Sequence, residues 1–138
     1  MTVFNVISFT QNIDRRYTHS SENGYMWIDF EKRMIAKNIK YDFLSSMLEN
    51  ERLKILSGNY KDELGCEKEI EKLKSNNNET DLNVIINMID EFYLNRENLI
   101  IPVRYSYCYC IKQMAGKNKD ELELYRTKLL KFCNSELK

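Results

Sequence analysis

The chain has 138 residues, 43% hydrophobic and 30% charged, and its 21 Lys/Arg balance its 21 Asp/Glu. That length and apolar supply fit one globular domain able to bury a core without metal or disulfide, and they exclude a disordered chain. Charge also balances locally, with eight basic against seven acidic residues in 1–58 and nine against nine in 79–138, so the basic excess expected of a nucleic-acid binder is missing.

The N-terminal segment reads differently from the rest. Val3–Phe9 is β-branched and aromatic and predicts a short strand. Tyr17–His19 and Tyr25–Phe30 then flank Ser20-Ser21-Glu22-Asn23-Gly24, and Asn-Gly is a strong hairpin-turn signal. The expectation for residues 1–30 is a β-hairpin or small sheet.

From Asp29 the period becomes helical. Phe30, Met34, Tyr41, Leu44, Leu48 and Ile55 share a stripe, with Asp29 as a possible cap and Gly58 as a stop. This predicts one long helix, or two helices broken near Asn38–Lys40. Tyr60–Lys74 is charge-dense and predicts a peripheral helix weakened by Gly65.

Thr80–Asn95 carries Leu82, Ile85, Ile86, Ile89, Phe92 and Tyr93 on one helical face, with Asn78 or Thr80 as the N-cap. Pro102–Met114 fits a strand by its alternating Val103, Tyr105, Tyr107, Tyr109 and Ile111. Pro102 and Gly116 punctuate it as a helix, and a central buried helix is the reading adopted. Asp120–Leu137 is the last helix, lined by Leu122, Tyr125, Leu129, Phe132 and Cys133, with a capping-box-like start at Asn118–Glu121. The expected architecture is mainly α: one domain over 1–138, its β-rich residues 1–30 packed on an irregular bundle of about five helices.

Chemistry-bearing patterns are sparse. Cys108 and Cys110 form a C-x-C pair, but Cys66 and Cys133 stand alone and His19 is the only histidine. Neither a tetrahedral zinc set nor a Cys–His catalytic pair is visible, and the four cysteines read as reduced core residues. No Walker, G-x-S-x-G, H-E-x-x-H or dinucleotide signature occurs, so no cofactor or metal is expected. Asp90–Glu91 and Asp120–Glu121 read as solvated helix faces, since adjacent acids on a helix point in different directions.

No run of 18 apolar residues exists, and the first residues lack a basic n-region with a long apolar stretch, so the expected location is the cytoplasm with no membrane contact. Abundant Lys, Asn, Ile and Tyr beside two Ala and one Pro suggest an A/T-rich genome, such as that of a phage, mobile element or large DNA virus.

What remains is an aromatic surplus. Tyr and Trp concentrate at protein interfaces, so Tyr25, Trp27, Tyr105 and Tyr109 are the expected partner-binding residues. The functional expectation is a small protein-binding inhibitor that occludes another protein, as an immunity protein, antitoxin or anti-defence protein does. One alternative is a helix-in-groove module of the viral survival-factor type, with its groove beside Pro102–Met114. Another is a metal-independent ribonuclease using His19, with Arg15 or Arg16 on the phosphate and Tyr17 positioning.

Overall fold

The computed structural model describes residues 14–32, 36–58, 65–75 and 81–135. Within them a two-stranded antiparallel hairpin, β1 (Tyr17–Thr18) and β2 (Ser21–Glu22), precedes six α-helices. These are α1 (Gly24–Asp29), α2 (Ala36–Leu56), α3 (Glu67–Ser75), α4 (Leu82–Phe92), α5 (Val103–Met114) and α6 (Lys119–Asn134). Short 3-10 turns follow α1 at Phe30–Lys32 and α4 at Arg96–Ile100. The protein is mainly α with a small hairpin, as its periodicities predict. The expected strand Val3–Phe9 lies outside the described residues, as do Met34, Tyr60–Leu64, Asn78 and Thr80.

The hairpin is real, but its turn is not Asn-Gly. Thr18 pairs with Ser21 and Tyr17 with Glu22, so His19 and Ser20 form the turn at φ of 49° and 65°. Two left-handed residues match the twist of a two-residue hairpin, and histidine is among the residues that enter this region more readily than most. Asn23 starts α1 instead, its side chain accepting from the backbone N–H of Tyr25 at 3.0 Å and of Met26 at 3.4 Å. Tyr25–Phe30, expected as the second hairpin arm, is therefore helix and 3-10 turn. Asn serves turns and N-caps alike, and the local pattern could not separate them.

Gly24 is required for packing. A Cβ there would fall 2.5 Å from the Tyr93 ring and 2.8 Å from the Leu99 backbone. Asn23 is itself buried, and its Nδ2 donates to the Arg15 carbonyl (2.8 Å) and to Thr18 Oγ1 (2.9 Å). Thr18 passes the chain on by donating to the Ile100 carbonyl at 2.6 Å. One asparagine thus closes the hairpin, caps α1 and ties both to the segment before α5.

Helix α2 runs unbroken through Asn38–Lys40, and Asp29 ends α1 without capping α2. Leu44 is fully buried, while Tyr41, expected on the core stripe, is exposed. The buried side passes instead through Lys40 and Leu44, because a carboxylate cluster described below accommodates the lysine. Gly65 precedes α3 at φ 77° and does not interrupt it.

Helix α4 buries Ile85, Ile86, Ile89 and Phe92, with Asp81 as its cap. Helix α5 follows Pro102 and ends in a Schellman turn: Gly116, at φ 94°, donates to the Gln113 carbonyl and Lys117 to that of Lys112. It is the central helix, in contact with α3, α4 and α6. Helix α6 is capped by Asn118, which accepts from Glu121 N–H at 2.9 Å while the Glu121 carboxylate accepts from Asn118 Nδ2 at 3.0 Å. Leu122, Leu129, Leu130 and Cys133 are its buried side; Phe132, expected there, is half-exposed.

Cys66 and Cys108 form a disulfide with Cα atoms 5.5 Å apart, which corrects the expectation of four reduced thiols. The α3–α5 packing places Cys66, one residue before α3, against the middle of α5. A separation of 42 residues carries no local signal of that meeting. Cys110 and Cys133 are buried and not disulfide-bonded.

Candidate functional site

A cleft of about 610 Å³ opens between β2, α2 and the first turn of α5. Its α2 wall is written in helical spacing. Ile39, Asp42, Phe43, Ser46, Met47, Asn50, Glu51 and Lys54 recur at three- and four-residue steps, so they share one face over four turns. Ile39, Phe43 and Met47, with Phe30, form an apolar floor toward the N-terminal end. Ser21, Glu22, Asp42, Glu51, Lys54 and Arg104 supply a rim of both charges.

The floor has a rigid backing. Trp27, Phe30 and Phe43 pack as an aromatic trio with ring centroids 5.6 to 6.5 Å apart. Trp27 is 1% exposed, and its indole N–H donates to Asp90 Oδ1 at 2.7 Å. Lys40 Nζ donates to the same oxygen at 2.7 Å and also to Glu31, while lying 5.1 Å from the Trp27 ring centroid. This polar knot joins α1, its 3-10 extension, α2 and α4. A buried ammonium persists only when partnered this way.

The four expected contact residues do not form one surface. Trp27 belongs to the core and is withdrawn from any contact face in this conformation; its role is to support the cleft floor from behind. Tyr25 is half-buried beneath the Arg15 guanidinium, 4.9 Å from its ring centroid, beside a second hollow of about 210 Å³. Tyr105 lies next to the rim residue Arg104, whose guanidinium sits 5.6 Å from its ring centroid. Tyr109 packs on Phe92 with centroids 4.8 Å apart, and burial, then the Glu123 carboxylate, raises its hydroxyl pKa. Among the described residues no ring contact or hydrogen bond joins any two of the four. The cleft residues Ile39, Phe43 and Met47 went unnoticed in the sequence because, at helical spacing, an open apolar face and a core face look the same.

His19 stacks on Phe132 with centroids 4.3 Å apart, and its Nε2 lies 3.0 Å from the Phe132 carbonyl oxygen. Arg16 is gripped by Asp14 through three side-chain contacts of 2.7 to 3.1 Å, which hold the Asp14 carboxyl down at about 2. Arg15 lies over Tyr25. Both guanidiniums thus engage Asp14 and Tyr25 rather than converging with His19. Burial, and secondarily the Glu91 charge, pushes the Cys110 thiol up to about 12, which leaves it unreactive. Among the described residues no group of three or more His, Cys, Asp or Glu is placed to hold a metal ion, and no helix is long and apolar enough to cross a membrane.

The chain matches no protein-family model, no curated protein and no solved structure.

Proposed function

We propose that this protein acts in the cytoplasm by binding another protein and occluding it, with the α2 cleft as its contact surface. The observation that carries this reading is the cleft itself: an apolar floor of Phe30, Ile39, Phe43 and Met47, ringed by polar and charged groups. Apolar centres with polar rims are the anatomy of protein contact surfaces. The rigid Trp27–Lys40–Asp90 backing keeps the floor pre-formed, which limits the ordering cost of association. Tyr105 extends the rim through Arg104, and Tyr25 adds a lesser contact at its own hollow. An immunity protein, an antitoxin and an anti-defence inhibitor all work by such occlusion.

The groove form favours a more specific version. The α2 wall is four turns long and ends against the first turn of α5, so an amphipathic partner helix with apolar residues at i, i+4 and i+7 fits its length.

The test is substitution of cleft-lining residues that do not enter the core. Ser46→Arg and Asn50→Arg fill the cleft from exposed positions, whereas Val84→Arg alters exposed α4 surface outside it. In affinity capture from the native host, the cleft variants are expected to lose a partner that wild type and Val84→Arg retain. Retention by all three variants would remove the cleft from the account.

A further inference from the structure

Helix α3 is an unusual passenger. Six of its nine residues are charged, Leu73 is its buried side chain and Ile70 is half-buried. A nine-residue helix with so little apolar surface does not persist alone in water. Three of its attachments go to one stripe of α5 and the residue that caps it: Cys66 to Cys108, Glu69 to Lys112 Nζ at 2.7 Å, and Lys72 Nζ to the Ala115 carbonyl at 2.9 Å. Positions 108, 112 and 115 are the i, i+4 and i+7 of a single helix face. Two of these links are polar contacts that exchange with water, and one is covalent.

We infer that the Cys66–Cys108 disulfide is a redox clasp, which holds α3 against α5 when oxidised and lets α3 lift away when reduced. Disulfides in cytosolic proteins are characteristically of this transient, redox-sensing kind. Both sulfurs lie in fully buried residues, so attack awaits a local opening of α3, which the sparse apolar contact makes the weakest-held element on α5. The chemistry is thiol–disulfide exchange with a small thiol such as glutathione. A glutathione thiolate bonds to the Cys66 sulfur, the Cys66–Cys108 bond breaks, and the Cys108 thiolate leaves and takes a proton. A second glutathione thiolate attacks the glutathione sulfur of the mixed disulfide and releases Cys66 as a thiol. The balance is one protein disulfide and two glutathiones giving two protein thiols and one glutathione disulfide, and the reverse reaction closes the clasp. Cys110 and Cys133, buried on the same framework and outside any disulfide, serve as internal references.

The inference is independent of what the cleft binds, and the full-length chain tests it. After treatment with glutathione disulfide, alkylation in denaturant should modify two cysteines, Cys110 and Cys133. After reduced glutathione, alkylation of the native protein should modify Cys66 and Cys108 while sparing the other two. Tryptic cleavage after Lys68, Lys72 and Lys74 should rise at least tenfold on reduction, with cutting in α5 and α6 unchanged. The double variant Cys66→Ser/Cys108→Ser should show the reduced pattern in either buffer and keep the helical circular dichroism of α4–α6. Four alkylatable cysteines after oxidation would disprove the bond. Equal cleavage of both forms, or global unfolding of the double variant, would make it a static staple and overturn the clasp.

Discussion

Lys40 and Asp90, fifty residues apart, meet at 2.7 Å with the Lys40 side chain 4% exposed, and the Trp27 indole shares the same carboxylate oxygen. This contact fixes α2 on α4 and so sets the back wall of the cleft. Its energetics are asymmetric. Removing the Asp90 carboxylate leaves the buried ammonium with Glu31 alone and the indole donor without its acceptor, while removing the ammonium leaves a carboxylate that still has the indole and solvent. Asp90→Ala is therefore expected to cost about 1–3 kcal/mol, a figure reduced from the fully buried case because Asp90 is 41% exposed. Lys40→Met should be close to neutral or stabilising. Urea denaturation of the two variants checks the contrast, and equal losses would contradict it.

Asn23 and Gly24 form the second sensitive point. Asn23→Ala removes an N-cap and takes a partner from the buried Thr18 hydroxyl and from the Arg15 carbonyl, for an expected loss of about 2–4 kcal/mol. Gly24→Ala drives a methyl into the Tyr93 ring and the Leu99 backbone, and should destabilise by about 2 kcal/mol or more although alanine is the better helix former. Thermal melts of both variants decide this. A stabilised Gly24→Ala would show that the α1–Tyr93 approach is looser than described.

Glu69 links the fold to pH. Burial raises its carboxyl pKa, but the bonded Lys112 ammonium, the Glu69 backbone N–H and the Lys117 charge together outweigh that, so the net shift is downward. A depressed folded pKa means the contact stabilises above the ordinary carboxylate range and is lost as pH falls through the lowered value. Protease sensitivity of α3 should thus rise as pH falls below about 4, where unfolded glutamates are mostly protonated. Glu69→Gln should flatten that rise, and an unchanged pH profile would remove Glu69–Lys112 from the α3 attachment.

Trp27 distinguishes core from contact surface. Trp27→Ala should cost about 3–5 kcal/mol, since it empties the centre of the aromatic trio. Tyr25→Ala, at a half-buried position, should cost less than half of that. If Trp27→Ala instead left stability intact and abolished partner capture, the indole would belong to the interface after all.

Much of the fold was legible because helical periodicity and end signals agreed. The α4 stripe, the Asn118 cap and the Pro102/Gly116 punctuation of α5 all lie where the sequence puts them. The misreadings have physical causes. Asn23-Gly24 carries turn chemistry that a helix start uses equally well, and His19-Ser20 takes the turn without a glycine. Cys66 and Cys108 meet only through tertiary packing. Phe132 leaves the core stripe of α6 to stack on His19, a contact 113 residues away in sequence. The cleft was least legible: Ile39, Phe43 and Met47 lie off the stripe that the seven-residue period picks out through Tyr41 and Leu48, and only packing shows which apolar face of α2 stays open.

The central claim is that the α2 cleft is where another protein docks. The most direct measurement places a photo-crosslinking amino acid at position 46, inside the cleft, and at position 84, outside it, in the protein expressed in its native host. The account predicts one prominent adduct from position 46 that is absent from position 84 and disappears when Asn50→Arg is added. Adducts of the same protein from both positions, or an adduct at 46 that survives Asn50→Arg, would contradict it.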